Sequence, residues 1–132
     1  MNFLHKETGE KILRAFYNVY NRMGYGFAEK VYENSLLIEL RSMGIECEQQ
    51  KSITVYYGSE RVGSYCADVI VDNKVILELK AASSIAPEHE TQLFNYLRAT
   101  DIEVGYLLNF GEHPRFKRIL FTNDRKGWRN AA

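Results

Sequence analysis

The chain is poor in several features that would narrow its class. Its 132 residues include two prolines, two cysteines and one tryptophan, and they carry no net charge. Cys47 and Cys66 fall outside any C-x-x-C or zinc-ligand spacing, which argues against a disulfide framework and favours reduced thiols in an intracellular protein. Because 17 Lys and Arg balance 17 Asp and Glu, a protein that holds DNA by overall positive charge is not indicated.

Long apolar runs are also missing. No run approaches the roughly 18 residues that a membrane span requires, and the first ten residues have no apolar core typical of a secretion signal. We therefore expect a cytoplasmic protein with no membrane association. The content of 45% hydrophobic and 26% charged residues is typical of a globular protein, and without linkers or repeats we expect one domain over residues 1–132.

The stretch from Tyr65 to Lys80 has the pattern of a β-hairpin. Apolar and β-branched residues fill positions 69–71 and 75–79, with a turn-like segment between them. A loop of three residues, 72–74, keeps apolar side chains together on one face, whereas a loop of two residues would mix the apolar and charged faces. The three-residue loop is therefore the expected one.

Three charged side chains interrupt this apolar hairpin. Glu78 and Lys80 share a face with Ile76, since side chains alternate along a strand. With the three-residue loop, Asp68 falls directly opposite Glu78. Because ionised groups are costly to bury unpaired, we expect a divalent cation to compensate the two carboxylates.

Helical spacing of apolar residues predicts one helix from Thr8 to about Gly24 and a second over about 27–43. In the second helix Glu29 projects from the centre of the apolar stripe, and Glu33 lies slightly to one side. Glu29 is then either a first-turn residue in contact with solvent, stabilised by the positive helix end, or a ligand.

A third helix over about 88–99 presents His89, Gln92 and Tyr96 within one sector beside an apolar one. These polar side chains are either the margin of an amphipathic helix or part of a site.

The remaining segments predict strands. A strand-like pattern at 45–57 precedes the hairpin in meander order, and the apolar segment 104–110 is typical of a strand covered on both faces, as in a parallel pairing. Residues 116–121 form a last strand, and we expect the polar tail from Thr122 to be frayed. The element order is therefore ααβββαββ, an α/β (α+β) fold.

Asp68 is followed by an E-x-K motif on the next strand, at Glu78 and Lys80. This arrangement across a hairpin resembles the PD-(D/E)XK nuclease superfamily. The Q-x-x-x-Y motif of the following helix, at Gln92 and Tyr96, resembles the RecB-type and lambda-exonuclease-type branches of that superfamily. The segment G-F-A-E-K-V-Y at 26–32 is similar to the GxxExxY family within that superfamily. Ala67 stands where the superfamily has its proline. The resemblance covers roughly residues 8–120 and includes the following segments: 26–32, 65–68, 78–80, 92–97 and 105–110.

The resemblance implies a restriction-endonuclease-like core, a mixed sheet of four or five strands flanked by helices, with a magnesium site that manganese can fill. By resemblance, Asp68 and Glu78 are direct metal ligands, the carbonyl of Leu79 is a third, and Glu29 acts directly or through water. Hard cations such as Mg²⁺ prefer oxygen ligands of this kind.

The other motif residues act on water and substrate by the same resemblance. Lys80 orients the metal-bound water or stabilises the transition state, Gln92 and Tyr96 hold the substrate backbone or bound waters, and His89 is an accessory residue.

Three functions follow as hypotheses. The first is a metal-dependent nuclease that hydrolyses nucleic-acid phosphodiester bonds, DNA rather than RNA. The second is a nucleic-acid-binding or regulatory module of the same fold with little catalytic activity. The third is a purely structural charge pairing without metal, which would leave one carboxylate over. For the nuclease, a homodimer is a further expectation, since nucleases of this size often need a second copy to cut both strands.

Overall fold

The computed structural model describes residues 4–129, and there the chain forms three helices and one five-stranded sheet in the predicted order ααβββαββ. The helices are α1 (Lys6–Met23), α2 (Glu29–Ser42) and α3 (Pro87–Arg98). The strands are β1 (Cys47–Tyr57), β2 (Glu60–Val71), β3 (Val75–Lys80), β4 (Val104–Phe110) and β5 (Pro114–Leu120). The predicted fold class is confirmed.

The sheet is mixed, with the strands in the order β1-β2-β3-β4-β5. β3 and β4 are parallel because α3 crosses between them, and all other neighbours are antiparallel. Every residue of β4 is buried, which explains its continuous apolar sequence. The predicted parallel pairing after a helical crossover is therefore confirmed.

Two apolar cores lie on opposite faces of the sheet, and strand alternation decides which side chain enters each. Leu77 and Leu79 belong to the core under α1 and α2, whereas Ile76 belongs to the core under α3. In the first core the ring of Phe110 is stacked on Tyr32, with 4.4 Å between the ring centroids. Full burial of one such side chain stabilises the fold by about 1.5–3 kcal/mol, so both helix layers are held firmly to the sheet.

As far as residue 129, the C-terminal segment differs from the predicted frayed tail, since it forms short 3-10 turns at Asn123–Arg125 and Gly127–Arg129. The rest of that predicted tail, residues 130–132, lies outside the described residues. Lys126 is 1% exposed, and its Nζ donates hydrogen bonds of 2.8 Å to the carbonyls of Thr100 and Ile102. The prediction was wrong because polarity does not reveal that a lysine finds buried carbonyl acceptors.

Among the described residues, no helix combines the length and the apolarity needed to cross a bilayer.

Candidate active site

The register of β2 and β3 brings Asp68 and Glu78 together. The loop has three residues, 72–74, and its Asp and Asn adopt left-handed φ angles of 51° and 55°, which these residue types tolerate. Val69 pairs with Leu77, and extending that register by one residue sets Asp68 opposite Glu78. The predicted loop length and register are confirmed.

The two carboxyl groups lie in a desolvated position. Glu78 is 2% exposed, and burial, followed by the neighbouring charge of Asp68, raises its pKa from 4.5 to about 8. Burial also raises the pKa of Asp68, although a 2.8 Å hydrogen bond from the Leu79 N–H to Oδ2 opposes this. Without a cation, the pair therefore retains a proton at neutral pH.

One oxygen of Glu78 is unsatisfied. Within residues 4–129, its Oε1 is buried and accepts no hydrogen bond. Buried polar atoms without a partner are uncommon, because no hydrogen bond within the protein replaces the bonds to water that they lose. A cation between Asp68 and Glu78 would satisfy this oxygen and would let both carboxyl groups ionise without repelling each other.

The donor set fits a magnesium-type ion rather than zinc. In the described part of the chain, no three His, Cys, Asp or Glu side chains gather into a ready-made metal site. Asp68 and Glu78 therefore offer two carboxylates, and Mg²⁺ is commonly bound by one or two carboxylates and completed by water or other oxygens.

Lys80 lies on the same face of β3 as Glu78. Its Nζ is 4.0 Å from Glu78 Oε2, and its side chain is 19% exposed. This distance is at the outer limit of an ion pair, so the ammonium lowers the cost of the buried charge without a short hydrogen bond to it. A negative group entering from solvent can still contact it.

Two α3 residues border this site. Gln92 Nε2 donates a 2.8 Å hydrogen bond to the hydroxyl of Tyr96, which is 2% exposed. Burial and the charge of Glu78 raise the pKa of Tyr96 to about 12, so the hydroxyl keeps its proton at neutral pH. Tyr96 is therefore a hydrogen-bond donor near the carboxyl pair.

His89 caps the start of α3. Its Nδ1 accepts a 3.1 Å hydrogen bond from the Ala86 N–H, and the backbone N–H of His89 donates to the Ala86 carbonyl at 3.0 Å. These contacts stabilise the first turn of α3, and Nδ1 already accepts a hydrogen bond from the backbone.

The structure places Glu29 and Glu33 differently from the sequence-based expectation. Glu29 is the exposed first residue of α2, not a side chain within the apolar stripe. Glu33, one turn later, is 4% exposed, and its negative charge adds, less than burial does, to the raised pKa of Asp68. The exposed position of Glu29 matches the first of the two alternatives, a first-turn residue in contact with solvent, and α2 begins too late for its first turn to be covered.

Asn109 is a residue that the sequence analysis did not select. It is 1% exposed, and its amide accepts from the Ala82 N–H at 2.9 Å and donates to the Ala82 carbonyl at 3.0 Å. These bonds fix the chain two residues after Lys80. The sequence did offer one indication of this role: Asn109 carries a single amide within the apolar strand 104–110, and a buried amide needs hydrogen-bond partners.

Comparison with known proteins supports a nuclease fold. The family model described as the PD-(D/E)XK nuclease superfamily matches residues 6–119. The match is to the superfamily, and membership of the GxxExxY family stays a prediction. No curated protein matches the chain.

Two solved structures are similar. The crystal structure of SSO0001 has a TM-score of 0.56 and 19% identity, with 70% of this chain and 50% of that one covered. This chain therefore spans about half the length of that protein. Hjc of Archaeoglobus fulgidus, a Holliday junction resolvase, has a TM-score of 0.43 and 19% identity over 68% of this chain and 73% of its own. At these identities the likeness concerns the fold alone.

Proposed function

We propose that this chain, which belongs to the PD-(D/E)XK nuclease superfamily, hydrolyses phosphodiester bonds of nucleic acid, DNA rather than RNA, with Mg²⁺ or Mn²⁺. The observation that carries the proposal is the buried meeting of Asp68 and Glu78, with an unsatisfied carboxylate oxygen and the Lys80 ammonium beside it. A cation would complete this site, because it would satisfy the free oxygen and let both carboxyl groups ionise.

Asp68 and Glu78 would hold the metal, with the Leu79 carbonyl as a further oxygen. When bound, the metal would supply a more acidic water and would neutralise charge on the phosphate. Asp68 is already oriented for this role, because the Leu79 N–H fixes its Oδ2.

Lys80 would hold the attacking water and stabilise the negative charge that develops on the phosphate. Its partial exposure and its long distance to Glu78 leave the ammonium accessible to that charge. Tyr96, protonated and oriented by Gln92, would donate a hydrogen bond to a phosphate oxygen or a bound water.

Cleavage and metal binding test the proposal separately. We expect Asp68→Asn to lose both Mn²⁺ binding and cleavage, whereas Lys80→Met keeps Mn²⁺ binding and loses cleavage by about 10²–10⁴-fold. The matched control is Lys117→Met, because Lys117 also pairs with a glutamate, Glu90, but on the surface. Cleavage that persists in both site variants would contradict the nuclease assignment.

The alternative is a nucleic-acid-binding or regulatory module with little catalytic activity. The balance of 17 basic and 17 acidic residues favours it, since bulk charge does not attract DNA. The absence of Mn²⁺ binding at millimolar concentration, together with retained nucleic-acid binding, would support the module.

A purely structural pairing is less well supported. A structural ion pair would be short and would satisfy both partners, whereas Lys80 lies 4.0 Å from Glu78 Oε2, and Oε1 has no partner within residues 4–129.

A further inference from the structure

Gln50 has an unusual backbone in the middle of a regular strand ladder. Gln49 pairs with Val69 and Lys51 pairs with Ala67, so the register places Gln50 opposite Asp68. The φ angle of Gln50 is 53°, in the left-handed region that residues other than glycine rarely adopt. Such outliers persist only where the surrounding contacts hold them, and they are concentrated at functional sites.

This backbone brings two consecutive side chains to the same carboxylate. In a regular strand Gln49 and Gln50 would point to opposite faces. Here the Nε2 atoms of both donate to Glu33: Gln49 to Oε2, and Gln50 to Oε1 at 3.0 Å and Oε2 at 3.1 Å. The thiol of Cys66 donates to Gln50 Oε1 at 3.3 Å and so orients the amide.

Glu33 is therefore fixed next to the proposed active site. It is 4% exposed, and Lys30 Nζ adds a 2.9 Å contact to Oε2. Gln50, which donates to both oxygens of Glu33, lies opposite Asp68 in the β1–β2 register, so the Glu33 carboxylate is held close to the strand position that carries Asp68. A carboxylate held in this way adds negative potential to the two carboxyl groups that would bind a cation.

We propose that Gln50 is a positioning residue whose left-handed backbone directs its amide to Glu33, fixing that carboxylate as a negative charge beside the divalent-cation site that Asp68 and Glu78 form. The inference rests on the proposed function of this site.

The test is Mn²⁺ affinity, measured by calorimetric titration of the full chain. We expect Glu33→Gln and Gln50→Ala each to weaken Mn²⁺ binding about tenfold, as is typical of residues that orient metal ligands. Because both changes remove the same effect, the double variant should bind Mn²⁺ about as weakly as either single variant. The matched control is Asn18→Ala. It removes a 3.2 Å hydrogen bond from a side-chain amide to the Glu39 carboxylate, at a position away from the site, and this variant should bind Mn²⁺ normally.

A second comparison isolates the backbone. Gln50→Gly and Gln50→Ala remove the same amide, so they should weaken Mn²⁺ binding equally. The Gly variant should nevertheless resist urea better than the Ala variant, since only glycine adopts a positive φ without a steric penalty. Equal urea resistance would contradict the left-handed conformation.

The outcomes separate the two proposals. Normal Mn²⁺ affinity in Gln50→Ala, with weak binding in Glu33→Gln, would overturn the role of Gln50 and leave the nuclease proposal intact. If the unmodified chain binds no Mn²⁺, the nuclease proposal fails. The role of Gln50 is then decided by a crystal structure of Gln50→Ala: a displaced Glu33 carboxylate supports the positioning role, and an unmoved one overturns it.

Discussion

The stability of the metal-free chain should fall as the pH rises, because ionisation of Glu78 is costly in the folded state. The pKa of Glu78 is about 8 in the folded chain, whereas the ordinary pKa of a glutamate is 4.5. The folded chain therefore binds one more proton than the unfolded chain between these pH values. This stabilising contribution is fully present below about pH 4.5 and is lost as the pH approaches about 8.

The size of the effect follows from the two pKa values. At roughly 1.4 kcal/mol per pKa unit, the gap between 4.5 and about 8 corresponds to a loss on the order of 5 kcal/mol. Asp68, whose pKa is also raised, changes stability in the same direction. Domains are commonly stable by about 5–15 kcal/mol, so the loss is a large share of the total.

Urea unfolding in EDTA at about pH 5 and about pH 8 measures this effect. The unmodified chain should lose several kcal/mol between these conditions, whereas Glu78→Gln should lose much less, because its amide does not ionise. The control Glu7→Gln, at a side chain 87% exposed, should behave as the unmodified chain. Mn²⁺ at about pH 8 should restore stability to the unmodified chain and not to Glu78→Gln.

The reasoning would be refuted if the unmodified chain and Glu78→Gln showed the same pH dependence. That result would mean that the Glu78 carboxyl is hydrated in solution, and the desolvated pair would no longer call for a cation.

Three further predictions concern the groups around this pair. Asn109→Ala should lower the free energy of unfolding by about 2–3 kcal/mol in urea, since it leaves the buried N–H and carbonyl of Ala82 without partners; an unchanged value would show that these bonds contribute nothing. Gly111→Ala should lower the free energy of unfolding by about 1–3 kcal/mol in the same assay, because the added Cβ would clash with the Ala82 carbonyl oxygen. An unchanged free energy of unfolding would mean that the backbone of this segment can shift to make room for the methyl group. Tyr96→Phe should fold normally by circular dichroism and cleave about tenfold more slowly, and full activity would exclude a role for the hydroxyl.

The sequence by itself determined the architecture and the central pair. Alternation of apolar and charged residues around 72–74 permitted one register, and that register set Asp68 against Glu78. The continuous apolar character of 104–110 likewise indicated a strand buried on both faces beside β3. These features are local or periodic. The spacing of apolar residues and the number of residues in a loop can be determined directly from the sequence.

Only the tertiary structure decided which of the two glutamates of α2 is buried. Glu29 and Glu33 are one helical turn apart, and their burial depends on where α2 begins and on what β1 places against it. The left-handed conformation of Gln50 depends in turn on contacts with Glu33 and Cys66, which are 17 and 16 residues away in the chain. Hydrogen bonds between distant segments leave no periodic pattern in the sequence, and so the surroundings of the carboxyl pair became apparent only when the segments were folded together.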